Sequence, residues 1–84
     1  MINTKLLAEI CEVAGAPGHE QRVREVILRE VESLVDEIKT DNLGNILAIK
    51  KGKKRKKVMI GAHMDEIGFI VTHIDEKGFV YFHT

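Results

Sequence analysis

Val58-Met59-Ile60-Gly61-Ala62-His63-Met64-Asp65-Glu66-Ile67-Gly68-Phe69 is the stretch on which the fold turns. Its first five residues are apolar on both faces, the pattern of a central strand covered on two sides rather than one with a wet face. His63 and Asp65 then stand at the carboxyl end of that expected strand, where open α/β sheets bind ligands. A histidine and a carboxylate two residues apart suit a zinc or cobalt site, because the acid can share the metal or hold the ring by its second nitrogen.

Working upstream, Lys50-Lys51-Gly52-Lys53-Lys54-Arg55-Lys56-Lys57 carries seven basic residues in eight and leads into the strand. Before it, Glu37-Ile38-Lys39-Thr40 and Ile46-Leu47-Ala48-Ile49 flank Asp41-Asn42-Leu43-Gly44-Asn45, the composition of two antiparallel strands and a tight turn. From residue 20 to about 34, Val23, Ile27, Val31 and Leu34 recur as one helical stripe. Gly15-Ala16-Pro17-Gly18-His19 breaks the chain before it. Residues 3–14 form a first helix with Leu6, Leu7, Ile10, Cys11 and Ala14 on one face and Asn3 or Thr4 as its N-cap. Downstream, residues 68–74 and 79–84 flank the turn Asp75-Glu76-Lys77-Gly78, a second hairpin. The order predicts an α/β fold, with two N-terminal helices packed on a mixed β-sheet. Two helices on one side cover only half of a buried strand, so one sheet face is expected to lack cover.

Composition excludes several classes. At 84 residues the chain is one small domain at most, and 44% apolar with 31% charged residues is the balance of a folded protein rather than a disordered tail. Thirteen basic and thirteen acidic residues cancel, so bulk charge gives no reason to expect nucleic acid or an anionic membrane as partner. The lysine run has no aromatic or amide side chain with which to read a base, and is read as a solvated loop. No apolar stretch is long enough to span a bilayer and no export signal opens the chain. The single cysteine, Cys11, is read as a small buried residue in a reducing compartment, which makes the protein cytoplasmic. Met59 and Met64 are read as core filler.

The spacing of His63 and Asp65 is not specific by itself, since His73-Ile74-Asp75 repeats it. Context separates the two: His73 falls inside an alternating strand, and Asp75 opens a turn. A catalytic zinc needs about three protein ligands and a structural one about four, against one well-placed histidine here. Any metal site in this chain is therefore expected to be incomplete.

The string Ala62-His63-Met64-Asp65-Glu66-Ile67-Gly68-Phe69 resembles the first metal motif of the tetrahedral aminopeptidases, within the zinc aminopeptidase and carboxypeptidase clan. Ala14-Gly15-Ala16-Pro17-Gly18-His19-Glu20 resembles that family's glycine loop ending in Glu, with Pro17 where many members have serine. Asp41-Asn42-Leu43-Gly44-Asn45 resembles its Asp-x-x-Gly-Asn turn. Thr72-His73-Ile74-Asp75-Glu76-Lys77-Gly78-Phe79 resembles the opening of its inserted domain. Four motifs in family order cover the whole chain. The resemblance implies a partial zinc-exopeptidase domain, with residues 1–68 the N-terminal part of the catalytic α/β domain and 69–84 the start of an inserted, β-rich domain of the dimerisation type. It implies His63 as ligand to one of two divalent metals, zinc or cobalt, and Asp65 as the catalytic-site carboxylate that orients it. The longer protein would hydrolyse N-terminal residues from peptides through a water activated by two metals. Apart from the resemblance, the uncovered sheet face should be apolar and can be buried by another copy of the chain, so a homo-oligomer or domain-swapped assembly of this chain is expected. The isolated chain is expected to be inactive, because the bridging aspartate, the catalytic glutamate and the other ligands belong to later parts of such a protein. Glu66 adjoins the motif but faces away along an extended chain, and no catalytic role falls to it. A competing reading is a small non-catalytic interaction module that uses the basic loop, residues 50–57.

Overall fold

The computed structural model describes residues 2–84; Met1, with which the expected first domain begins, lies outside the described residues. Asn3 starts the first helix, its Oδ1 accepting the Leu6 N–H at 3.1 Å in front of α1, Thr4–Glu12. The helix stops two residues short of the expected end, where Val13 turns extended and donates its N–H to Glu9 O ahead of the glycine loop. The second helix, α2, spans Gln21–Val31 and buries Val23 and Val26. Val26 was not on the expected stripe, yet it lies three residues from Val23 on the same helical face. Leu34, expected to close that stripe, falls in the turn after the helix and is 66% exposed. Arg29 of α2 holds α1 by a two-pronged ion pair to Glu9, with Nη1 donating to Oε2 at 3.0 Å. The guanidinium holds the Glu9 carboxyl below its usual range. Both side chains are exposed, so the pair sets the orientation of the helices more than their stability.

Two hairpins follow. The first joins β1, Glu37–Thr40, to β2, Ile46–Ile49, antiparallel, with Glu37 opposite Ile49 and Thr40 opposite Ile46. The second joins β3, Ile70–Ile74, to β4, Val80–His83, with a bulge between Val71 and His73. One turn design serves both. Asp41 Oδ1 accepts the N–H groups of Leu43 and Asn45, each at 2.9 Å, and Asp75 Oδ1 accepts those of Lys77 and Phe79 at 2.9 and 3.0 Å. The glycine in fourth place has a left-handed backbone each time, φ 86° at Gly44 and 87° at Gly78.

The duplication allows a controlled comparison. Gly44→Ala and Gly78→Ala each force a left-handed alanine, which costs about 1–2 kcal/mol. At Gly44 the new methyl also meets the Arg24 guanidinium, whereas at Gly78 it meets nothing within 4 Å. Amide exchange at Asn45 is expected to accelerate more in the first variant than exchange at Phe79 does in the second.

Asp41 makes its turn sensitive to pH. The Asn45 side chain, first, and the amides of Asn45, Leu43 and Gly44 hold the carboxyl below the usual aspartate value of 3.8. A lowered folded value means stabilisation that is complete above 3.8 and is lost as pH falls through the folded value. Leu43 and Asn45 amide resonances are expected to hold steady down to that region and then shift together. Asp41→Asn should abolish the pH response.

The α/β class stands, but the sheet is not continuous: β1-β2 and β3-β4 are separate two-stranded sheets. The central strand expected over residues 58–62 does not form, and Val58, Met59 and Ile60 are 88–93% exposed. Apolar character makes a strand only where a neighbouring strand takes its N–H and C=O groups. No strand among the described residues lies alongside this segment. Two further expectations fail for the same lack of cover: Met59 fills no core, and Cys11 is exposed. The radius of gyration is 17.4 Å, against about 12 Å for a compact domain of this length.

Candidate metal-ligand site

The segment carrying His63 and Asp65 is anchored by the glycine loop that follows α1. Glu66 N–H donates to Gly15 O at 2.9 Å, and a methyl group on Gly68 would come within 2.7 Å of the Ala16 Cβ. Gly15 is itself buried, and a Cβ there would lie 3.2 Å from Val23 Cγ1. The loop is closed on itself, with His19 N–H donating to Ala16 O at 2.9 Å and Gly18 N–H to Glu20 Oε1 at 2.7 Å. Small residues at 15, 16 and 68 thus let two irregular segments approach, and this contact, rather than a strand, positions the site.

His63 Nδ1 lies 3.0 Å from the Asp65 backbone O and 3.0 Å from Asp65 Oδ1. A carbonyl oxygen has no proton to give, so Nδ1–H is the donor. In the neutral ring the lone pair is then on Nε2, the tautomer that can bind a metal while its other nitrogen is fixed. The imidazole is 85% exposed, leaving that lone pair open to solvent. This chemistry fits one metal ligand. Among the described residues no group of three His, Cys, Asp or Glu side chains gathers into a metal cluster.

Residues 62–65 wall a cleft of about 230 Å³, completed by Glu20, Leu43, Gly44 and Asn45. Arg24 ties its far wall to α2, with Nε donating to Gly44 O at 2.8 Å. Glu20 and Asn45 therefore face the same space as His63 and Asp65, which the sequence reading did not anticipate. The available signal was that each ends a glycine-containing turn. A second cleft, of about 310 Å³, lies on the other side of residues 63–66 and is lined by Ile10, Cys11, Val13, Gly15, Val23 and Ile27.

The repeated His-x-Asp is built differently. Asp75 is occupied by the turn amides, and His73 packs on Tyr81 with ring centroids 5.6 Å apart. The Glu66 side chain is exposed and the basic residues 50–57 all lie in solvent. No helix among the described residues is long and apolar enough to cross a membrane.

Comparison with known proteins agrees with these motifs. The profile of the M42 glutamyl aminopeptidase family matches residues 44–84. A protein of Acetivibrio thermocellus provisionally named an aminopeptidase is 53% identical over 67 residues, 80% of this chain and 20% of its own length. The lysyl aminopeptidase of Pyrococcus furiosus is 40% identical over 72 residues, 84% of this chain and 20% of its own. The crystal structure of a TET aminopeptidase from a marine sediment thaumarchaeon superposes with a TM-score of 0.86 at 32% identity, covering 95% of this chain and 22% of that one. The chain spans about one fifth of the length of the relatives it matches. Ordered motifs, sequence identity and shared fold together make it an N-terminal portion of a member of the M42 glutamyl aminopeptidase family.

Proposed function

We propose that the longer protein is an aminopeptidase releasing N-terminal residues from peptides, and that this portion gives it His63 as ligand to one of two divalent metals and Asp65 as the carboxylate that orients the ring. The observation that carries this reading is the pair of 3.0 Å contacts from His63 Nδ1 to Asp65. When bound, such metals polarise the peptide carbonyl and lower the pKa of water enough to make a nucleophile at neutral pH. This chain's share is to hold one imidazole in the binding tautomer beside an open cleft. The 84 residues alone are inactive, since one imidazole and one carboxylate do not complete a hydrolytic centre.

The proposal extends to organisation. Residues 1–68 belong to the catalytic domain and 69–84 open an inserted β domain, a division supported by β3 and β4 pairing, among the described residues, only with each other. The exposed apolar side chains of that hairpin support a homo-oligomer. Cytoplasmic placement and the choice of zinc or cobalt are part of the same reading. The test is hydrolysis of matched peptides with free and acetylated N-termini by the full-length protein. Only the free peptide should be cut, and a chelator should stop the reaction; equal cleavage of the acetylated peptide would sink the aminopeptidase reading.

A further inference from the structure

Zero net charge conceals a segregation. Residues 50–57 hold seven basic side chains, while the rest of the chain holds six basic and all thirteen acidic ones, a net of −7. Among the described residues only Asp36 engages the run, its Oδ2 accepting Lys51 N–H at 2.6 Å and its Oδ1 lying 3.8 Å from Lys50 Nζ. Lys53, Lys54, Arg55, Lys56 and Lys57 are exposed and form no ion pair among the described residues. Guarding a strand edge takes a lysine or two, and five adjacent free cations exceed that need. At its amino end the run stands one strand length from the cleft, β2 separating Lys50 from Asn45 by about 16 Å at 3.3 Å per residue, roughly two Debye lengths at physiological salt.

We propose that residues 50–57 form a docking site for an acidic segment of a protein partner, an extended run of Asp and Glu side chains. The loop offers charge and nothing else. Residues 50–57 hold no aromatic ring on which a base could stack and no apolar side chain; the exposed Val58, Met59 and Ile60 follow the run, and vesicle binding is therefore an arm of the test. A nucleic acid duplex carries a charge every ~1.7 Å and overhangs a short loop, so it would meet the net −7 of the remaining chain. An acidic segment of the loop's own length avoids that repulsion.

The test is fluorescence anisotropy of a labelled oligoglutamate peptide, matched to the loop in length, titrated with the full chain. Binding is expected at low ionic strength, weakening about tenfold or more at several-fold higher salt. Replacing Lys53, Lys54, Arg55, Lys56 and Lys57 by Gln should weaken it at least about tenfold with unchanged far-ultraviolet circular dichroism. Should that dichroism change, Lys54→Gln with Lys56→Gln is the substitute, and a smaller but measurable loss is expected. Undiminished peptide binding by the variants overturns the proposal. So does tighter binding of a charge-matched oligonucleotide, or of phosphatidylserine vesicles, than of the peptide.

Discussion

Replacing His63 by Ala in the full-length protein is expected to lower bound metal by about one ion per subunit and to remove hydrolysis, because a site of three or four protein ligands tolerates no loss of one. Asp65→Asn should be milder. Losing the partner of a ligating histidine usually lowers affinity or activity by about 10–100-fold. Here His63 Nδ1 has two acceptors on the same residue, and the Asp65 backbone O at 3.0 Å survives the substitution. That carbonyl still holds the proton on Nδ1, so the loss should fall near the lower end, about tenfold. Metal content by mass spectrometry, measured beside kcat/KM, separates the two variants. His73→Ala is the control and should leave metal content unchanged, since its ring packs on Tyr81 rather than bonding an acid. An Asp65→Asn variant as crippled as His63→Ala would mean that the backbone contact does not hold the ring. Full metal content in His63→Ala would remove the ligand assignment altogether.

The parts of this structure that were legible in the sequence are those whose causes are local. Asn3 as N-cap, the glycine loop and both Asp-x-x-Gly turns depend on side chains bonding amides two to four residues away. Those residues carry the pattern wherever they occur. The His63 to Asp65 contact is equally local, spanning two residues. Segment 58–62 is the opposite case. Its apolar run states what the residues prefer, but a strand needs backbone partners that these residues cannot supply to themselves. Leu34, Cys11 and Met59 share that dependence, each being a surface that counts as core only when something covers it. Glu20 in the cleft was missed for another reason. Its place opposite His63 follows from the packing of the glycine loop against residues 64–68, a relation between segments over forty residues apart that no spacing rule encodes.

The 84-residue chain prepared alone is expected to self-associate. Val71 pairs with Phe82 and Ile74 with Val80, and the Phe69 ring meets Phe82 edge-on with centroids 4.7 Å apart. These five residues make one apolar face of the second hairpin, each 51–60% exposed. Covering that face would remove roughly 400–500 Å² of apolar surface from water, worth about 10–12 kcal/mol at 25 cal/mol per Å². Association costs about 4–15 kcal/mol in lost freedom, so the hairpin face alone brings binding near balance. Val58, Met59 and Ile60, almost fully exposed, tip it toward assembly. Sedimentation velocity should therefore show oligomers at micromolar concentration, with binding of a hydrophobic dye. Phe82→Asp should reduce both, because a carboxylate at the centre of the face must be desolvated on contact. Tyr81→Asp should not, since Tyr81 pairs with His73 on the opposite face. Unequal effects of these neighbouring substitutions would identify the face, whereas equal effects would point to general loss of the hairpin. A clean monomer that ignores the dye would show that the apolar side chains find cover within a single chain.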